Sequence, residues 1–181
     1  MSRRFLLLAV IVTLAGAMQL DTSTLFRSDP WEYYTDYSDY REGCRVVKCS
    51  EVRPERDPRM LTGWEEDGET HLKAALVFAD ENPQDSFTLD LGRLRPVGKV
   101  YITTSLQDEP RIPTELSIHG STQGPDGPWT TLLENGDMHC RFTYMFDAAP
   151  VRWLRFDLGE NTNGLGSRIK RLEIYLSLIH I

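Results

Sequence analysis

Between Asp85 and Tyr175 apolar and polar residues alternate in short runs separated by turn-forming groups. Phe87, Leu89 and Leu91 alternate with Thr88 and Asp90, and Val100 and Ile102 with Tyr101 and Thr103. Further on, Leu116 and Ile118 alternate with Ser117 and His119, and Leu154, Phe156 and Leu158 with Arg155 and Asp157. A period of two sends alternate side chains to opposite faces, so each run predicts a strand with one wet face and one apolar face. Burying that apolar face requires a second sheet. The groups Gly124-Pro125-Asp126-Gly127-Pro128, Asn135-Gly136-Asp137 and Asn163-Gly164-Leu165-Gly166 fall where antiparallel connections are needed. No long amphipathic helix or repeat interrupts the pattern, which predicts an all-β sandwich of antiparallel strands over residues 44–175.

The chain before this region reads differently. Ser2-Arg3-Arg4, the apolar run Phe5 to Leu14 and the small-residue site Ala15-Gly16-Ala17 form the three parts of a cleavable signal peptide over residues 1–17. About 12 apolar residues fall short of the roughly 20 that span a bilayer, so the run predicts export rather than anchoring. Residues 18–43 are polar and acidic with no strand or helix period, and predict a flexible segment. Within it Tyr34, Tyr37 and Tyr40 stand among Glu32, Asp36 and Asp39, a setting like that of tyrosine-sulfation acceptors; an unmodified linker is the other reading. Pro54 and Pro58 predict an irregular stretch up to the turn Asp67-Gly68-Glu69-Thr70. At the other end, residues 176–181 continue without a turn and read as a non-native tail, which leaves open that the chain is the front of a longer multidomain protein, such as an enzyme carrying this module.

Charge narrows the partners. The formal net charge is -7 for the whole chain, and removing Arg3 and Arg4 with the signal makes the remainder more acidic. Nucleic acid and anionic membranes attract basic faces, so this balance opposes both. Cys44, Cys49 and Cys140 form an odd set in a chain expected outside the cell. The spacing of Cys44 and Cys49 suits a small local disulfide loop, whereas Cys140 instead can tie that loop's start to the middle of the domain. A zinc site would want a second close pair. A nucleophile elbow, a His-Glu-x-x-His motif, a P-loop and a dinucleotide-binding glycine fingerprint are all missing from the sequence, so the residues predict a binding module and not an enzyme.

Taken in order, several fragments resemble the discoidin, or coagulation factor 5/8 type C, family of the galactose-binding-like jelly-roll superfamily. They are Phe87-Thr88-Leu89-Asp90-Leu91-Gly92, Val97-Gly98-Lys99-Val100-Tyr101-Ile102 and Glu115-Leu116-Ser117-Ile118-His119-Gly120-Ser121. Asp126-Gly127-Pro128-Trp129, Arg152-Trp153-Leu154-Arg155-Phe156 and Arg171-Leu172-Glu173-Ile174-Tyr175 complete the series, which spans Leu61 to about Tyr175. Ser86 stands where the family often has tryptophan, and Asp67-Gly68-Glu69-Thr70-His71 matches its calcium-loop turn only in part.

The resemblance implies a jelly roll that binds ligand through loops at one end. Mapped on this chain, those loops are residues 64–71, 107–113 and 161–166. It implies ligand contacts from Arg111, Trp64, His71 and Asn163, with calcium held by Asp67, Glu69 and Thr70. An arginine fork suits vicinal hydroxyls or a carboxylate, and an indole suits a sugar face. The expectation is a secreted, non-catalytic module that binds an extracellular glycan or glycoprotein. A protein-binding adhesion or matrix module and a phospholipid binder are the alternatives; for the last, only Trp64 and Ile112 offer apolar spikes. The sequence is silent on oligomeric state.

Overall fold

The computed structural model describes residues 35–80, 82, 84–104, 111–160 and 165–176. The expected signal peptide, Tyr34, Asn163 and most of the C-terminal tail lie outside the described residues. Ten strands follow in chain order: β1 (Arg45–Cys49), β2 (Trp64–Glu66), β3 (Glu69–His71), β4 (Leu76–Val77) and β5 (Ser86–Thr103). Then come β6 (Glu115–Ser121), β7 (Thr130–Asp137), β8 (Arg141–Leu158), β9 (Arg168–Ile169) and β10 (Arg171–Tyr175). Every ladder among them is antiparallel.

Two strands of 18 residues each organise the sandwich. The sequence pattern predicts two separate strands around Leu89 and Val100; the structure runs them together as β5. That strand bends where its pairing with β8 slips between Asp90 and Arg95. Gly92 sits at the bend with φ 76°, and a Cβ there would come 2.9 Å from the Gly43 carbonyl oxygen, so only glycine fits. Before the bend β5 pairs with β1, after it with β10. Its partner β8 likewise pairs with β6 only through its second half, residues 153–158. Long strands that change neighbours at a bulge are how one ladder serves both layers of a sandwich.

Between the layers lie the residues whose alternation marked the strands. Phe87, Leu89, Leu91, Val100, Ile102, Leu116, Ile118, Leu154, Phe156 and Leu158 are all buried. The Phe87 and Phe156 rings stack at 4.6 Å, and Phe78 packs on Phe87 at 6.4 Å. The group Asn135-Gly136-Asp137, expected as a connection, instead ends β7. Gly136 serves a close approach: a Cβ there would lie 2.8 Å from Tyr144, whose hydroxyl donates to the Asp137 carbonyl at 2.7 Å.

Three expectations for the N-terminal part change. Residues 35–43, expected as part of a flexible segment, are folded onto the sheet. The Tyr37 N–H donates to the Ile174 carbonyl at 2.8 Å, and the Ile174 N–H donates to the Asp36 carboxylate at 3.0 Å. Tyr37, expected as a sulfation acceptor, has 0% of its surface exposed and lies under the Arg95 guanidinium, 4.8 Å from its ring centre. A buried phenol offers nothing to a modifying enzyme in the folded state. Tyr40 is only half-buried.

The third change concerns the Cys44–Cys49 disulfide. These residues stand at the two ends of β1, and five extended steps along the chain separate their Cα atoms by about 16 Å, far beyond the roughly 7 Å a disulfide spans. All three cysteines are free thiols in the structure. Burial pushes the Cys44 and Cys49 thiols up to about 12, so neither forms much thiolate near neutral pH. Iodoacetamide at pH 8 is therefore expected to leave both unlabelled until denaturant is added; prompt labelling of Cys44 in the folded protein would contradict this packing.

Candidate functional site

Two short acidic-cap motifs build a cleft. Asp39 caps the 3₁₀ turn Tyr40–Glu42 by accepting from the Arg41 N–H, and its carboxylate also takes the Arg41 side chain, through Nε at 2.9 Å and Nη2 at 2.7 Å. Asp57 does the same for the 3₁₀ turn Pro58–Leu61: it accepts from the Arg59 N–H at 2.8 Å and from the Arg59 Nε at 2.9 Å. An Asp two residues before an Arg thus both starts a turn and fixes a guanidinium. These hydrogen bonds hold the Asp39 and Asp57 carboxyls below their usual range and raise the arginines' own values.

The two turns meet through backbone, with the Tyr40 N–H donating to the Thr62 carbonyl at 3.0 Å. Next to them stands the β2–β3 hairpin, turned by Asp67 (φ 52°) and Gly68 (φ 80°), the paired positive values that a two-residue Asp-Gly turn adopts. The hairpin places Trp64 opposite His71, and their rings stack at 4.4 Å with 7° between planes. Arg59 lies 4.8 Å from the Trp64 ring centre and also pairs with Glu66 at 3.4 Å. Tyr40, Arg41, Arg45, Val46, Arg59 and Trp64 thereby line a cleft of about 630 Å³, with Thr62, Gly63 and Glu65 completing it. That volume is in the range of small-molecule sites.

The structure brings Trp64 and His71 together but places Arg111 in a different cluster. Arg111 Nη1 donates to Asp80 at 2.7 Å and to the Gly166 carbonyl at 2.9 Å, and only 14% of its side chain is exposed. Asp80 also accepts from Arg53 at 2.7 Å and from the Gly166 N–H at 3.1 Å. Arg111, expected as a ligand contact, clamps the segments around residues 80, 111 and 166. The Arg111 and Gly166 hydrogen bonds hold the Asp80 carboxyl well below its usual range.

A carboxylate whose folded value is depressed contributes stability above its unfolded value, near 4, and loses it as pH falls toward the folded one. The Asp80→Asn variant is therefore expected to melt lower than the parent at pH 7, with the gap closing as pH drops from about 4 toward 2. Parallel melting curves across that window would contradict the clamp.

The calcium expectation does not fit the hairpin. Glu69 and Thr70 are neighbours on β3, so their side chains leave on opposite faces, and both are exposed along with Asp67. Calcium takes six or more oxygens, and no group of three or more His, Cys, Asp and Glu side chains among the described residues converges on a point.

The sequence does not single out the lining residues Arg41, Arg45, Val46 and Arg59, and it marks Tyr40 only as a sulfation acceptor. Their signal was the repeated Asp-x-Arg, at 39–41 and 57–59, inside segments otherwise marked as irregular.

This fold is similar to that of several solved modules from glycoside hydrolases. It is similar to the CBM32-3 module of a family 31 glycoside hydrolase from Clostridium perfringens, with a TM-score of 0.60 and 14% identity over 79% of this chain and 94% of that one. The chitosan-binding module 1 of a chitosanase/glucanase from Paenibacillus sp. IK-5 gives a TM-score of 0.58 and 14% identity, covering 78% of this chain and 98% of that one. A GH29 fucosidase of Ruminococcus gnavus, in complex with fucose, gives a TM-score of 0.64 and 22% identity over 82% of this chain. This chain spans only 28% of that enzyme's length. No family model matches the sequence, and no curated protein matches it.

Proposed function

We propose that this chain is an exported, non-catalytic module that binds an extracellular glycan or glycoprotein glycan in the cleft between the two 3₁₀ turns and the β2–β3 hairpin. The single observation that carries the reading is the cleft itself: an aromatic wall of Trp64 and Tyr40 beside three arginines, two of them held rigid by their own aspartates. Sugars are bound by a combination of flat apolar surface and fixed forks of donors, and preorganised side chains lower the entropy cost of binding. With His71 stacked on the ring and Arg59 near its centre, the indole serves as a wall and as a support for Arg59. The fold shared with the CBM32-3 and chitosan-binding modules supports the class. Export rests on the signal-peptide pattern of residues 1–17.

A glycan array with the secreted protein tests this. Binding to a subset of sugars is expected, together with a loss of at least about tenfold in affinity for Trp64→Ala. Because Trp64 stands on a half-exposed hairpin, its melting temperature should stay close to the parent's. Silence on every sugar, or unchanged affinity in Trp64→Ala, would remove the proposal.

A further inference from the structure

Within the cleft the three arginines are not equivalent. Arg41 spends its Nε–Nη2 edge on Asp39, and Arg59 spends the same edge on Asp57, with Nη2 also reaching Glu66. That edge is the one that grips a carboxylate with two parallel hydrogen bonds. Arg45 is anchored the other way round. Its Nη1 donates to two backbone carbonyls, Tyr40 at 3.1 Å and Cys44 at 2.8 Å. Both Nη1 hydrogens are thus committed to main chain, which fixes the guanidinium, while the Nε–Nη2 edge makes no hydrogen bond or ion pair among the described residues.

The acids nearby do not take that edge. Asp90, across the ladder from Arg45, accepts from Arg152 at 2.9 Å and 3.1 Å and from the Gly92 N–H at 2.9 Å. Asp39, Asp57 and Glu66 are held by Arg41 and Arg59. Glu65, the acid on the cleft wall, is exposed on the short strand β2, where water screens it. Charge in the cleft is therefore paired by hydrogen bonds at Arg41 and Arg59, whereas Arg45, attracted only at longer range by Asp90, has no ion pair among the described residues.

From this geometry we infer that the cleft selects a saccharide carrying an anionic group, the carboxylate of a uronic acid or a sulfate ester, which docks on the Nε–Nη2 edge of Arg45. The inference rests on the glycan reading above and names the class of sugar. Hydroxyls of the same ligand meet the remaining donors of Arg41 and Arg59 and the Tyr40–Trp64 wall. The acidic surface of the chain as a whole does not oppose this at contact range: with a Debye length of about 8 Å at physiological salt, distant carboxylates are screened while a bidentate contact is not. Being exposed, the pair adds a moderate increment, so selectivity rather than high affinity is its product.

Calorimetric titration with three oligosaccharides of equal length tests it: an oligogalacturonide, a sulfated galactan fragment and a neutral galacto-oligosaccharide. At least one anionic sugar is expected to bind about five- to tenfold tighter than the neutral one. Arg45→Gln should abolish that margin, read as the ratio of anionic to neutral affinity within the variant, so that any change in neutral binding cancels. The Arg45→Lys variant keeps the charge without the fork, so it should retain only part of the margin, and it provides the test should Arg45→Gln fail to fold. A preference for the carboxylated over the sulfated sugar, or the reverse, identifies which anion is used. Equal binding of all three sugars, or a full margin in Arg45→Lys and Arg45→Gln, overturns the inference while leaving the glycan reading intact. Loss of no sugar in Trp64→Ala would instead overturn the reading itself.

Discussion

Phe156→Ala is expected to lower stability by about 3–5 kcal/mol, the range for emptying an aromatic site in a packed core. The ring is fully buried, stacks on Phe87 at 4.6 Å and faces Phe87 directly across the β5–β8 ladder. Its removal withdraws contacts from both long strands at once, and neither can collapse into the space, since each continues past the site into the bends that join the layers. For a domain of this size the loss corresponds to a fall in melting temperature of about 10 °C, followed by circular dichroism near 215 nm. A fall of under about 3 °C would mean that the two rings do not form the centre of the core.

Gly166→Ala is expected to be comparably damaging for a different reason. A Cβ at this position would lie inside the van der Waals surface of the Phe78 carbonyl oxygen and 2.5 Å from that of Ala79. Neither backbone can yield cheaply: the Phe78 N–H donates to the Ser167 carbonyl and the Ala79 N–H to the Glu51 carbonyl, both at 2.9 Å. The substituted segment has to move outward instead. It then strains the Gly166 bonds to Asp80 and Arg111 and the bond from the Ser167 N–H to Asp85 at 2.7 Å. A loss of about 3 kcal/mol or more follows from a clash with fixed main chain combined with a broken polar network. Urea denaturation reads it directly, and a midpoint within error of the parent would show that the glycine is not required.

The opposite result is expected at the cleft, where Trp64→Ala and Arg45→Gln should change binding and leave melting nearly untouched. Core and cleft therefore separate experimentally: one set of variants reads packing and the other reads recognition. The Asp80→Asn variant belongs to the first set, although its partner Arg111 lies in a loop that family resemblance marks for ligand.

Much of the fold was legible in the chain. The alternation at residues 87–91, 100–103, 116–119 and 154–158 reads directly into buried and exposed faces, because a half-buried strand has no other way to satisfy a period of two. The Asp67-Gly68 pair likewise announces its turn, since few residue pairs adopt two consecutive positive φ values, although the two short strands it joins are not marked in the sequence. Where the reading failed, local composition and tertiary use diverged. The acids and tyrosines of residues 35–43 look solvated, yet Asp36 gains a partner on β10, Ile174, from 138 positions away in sequence, and Tyr37 pairs with the same residue. In Asn135-Gly136-Asp137 the glycine answers to the Tyr144 ring rather than to a turn.

By itself the sequence determined the class: antiparallel strands in two layers and a net acidic charge, both of which follow from local periodicity and composition. Only the tertiary structure decided which arginine is free to act. Arg41, Arg45, Arg59 and Arg111 are chemically identical in the chain, and each one's role is set by which carboxylate or carbonyl the folded backbone brings within about 3 Å of its guanidinium. Asp39, Asp57 and Asp80 occupy three of them, leaving the open edge to Arg45.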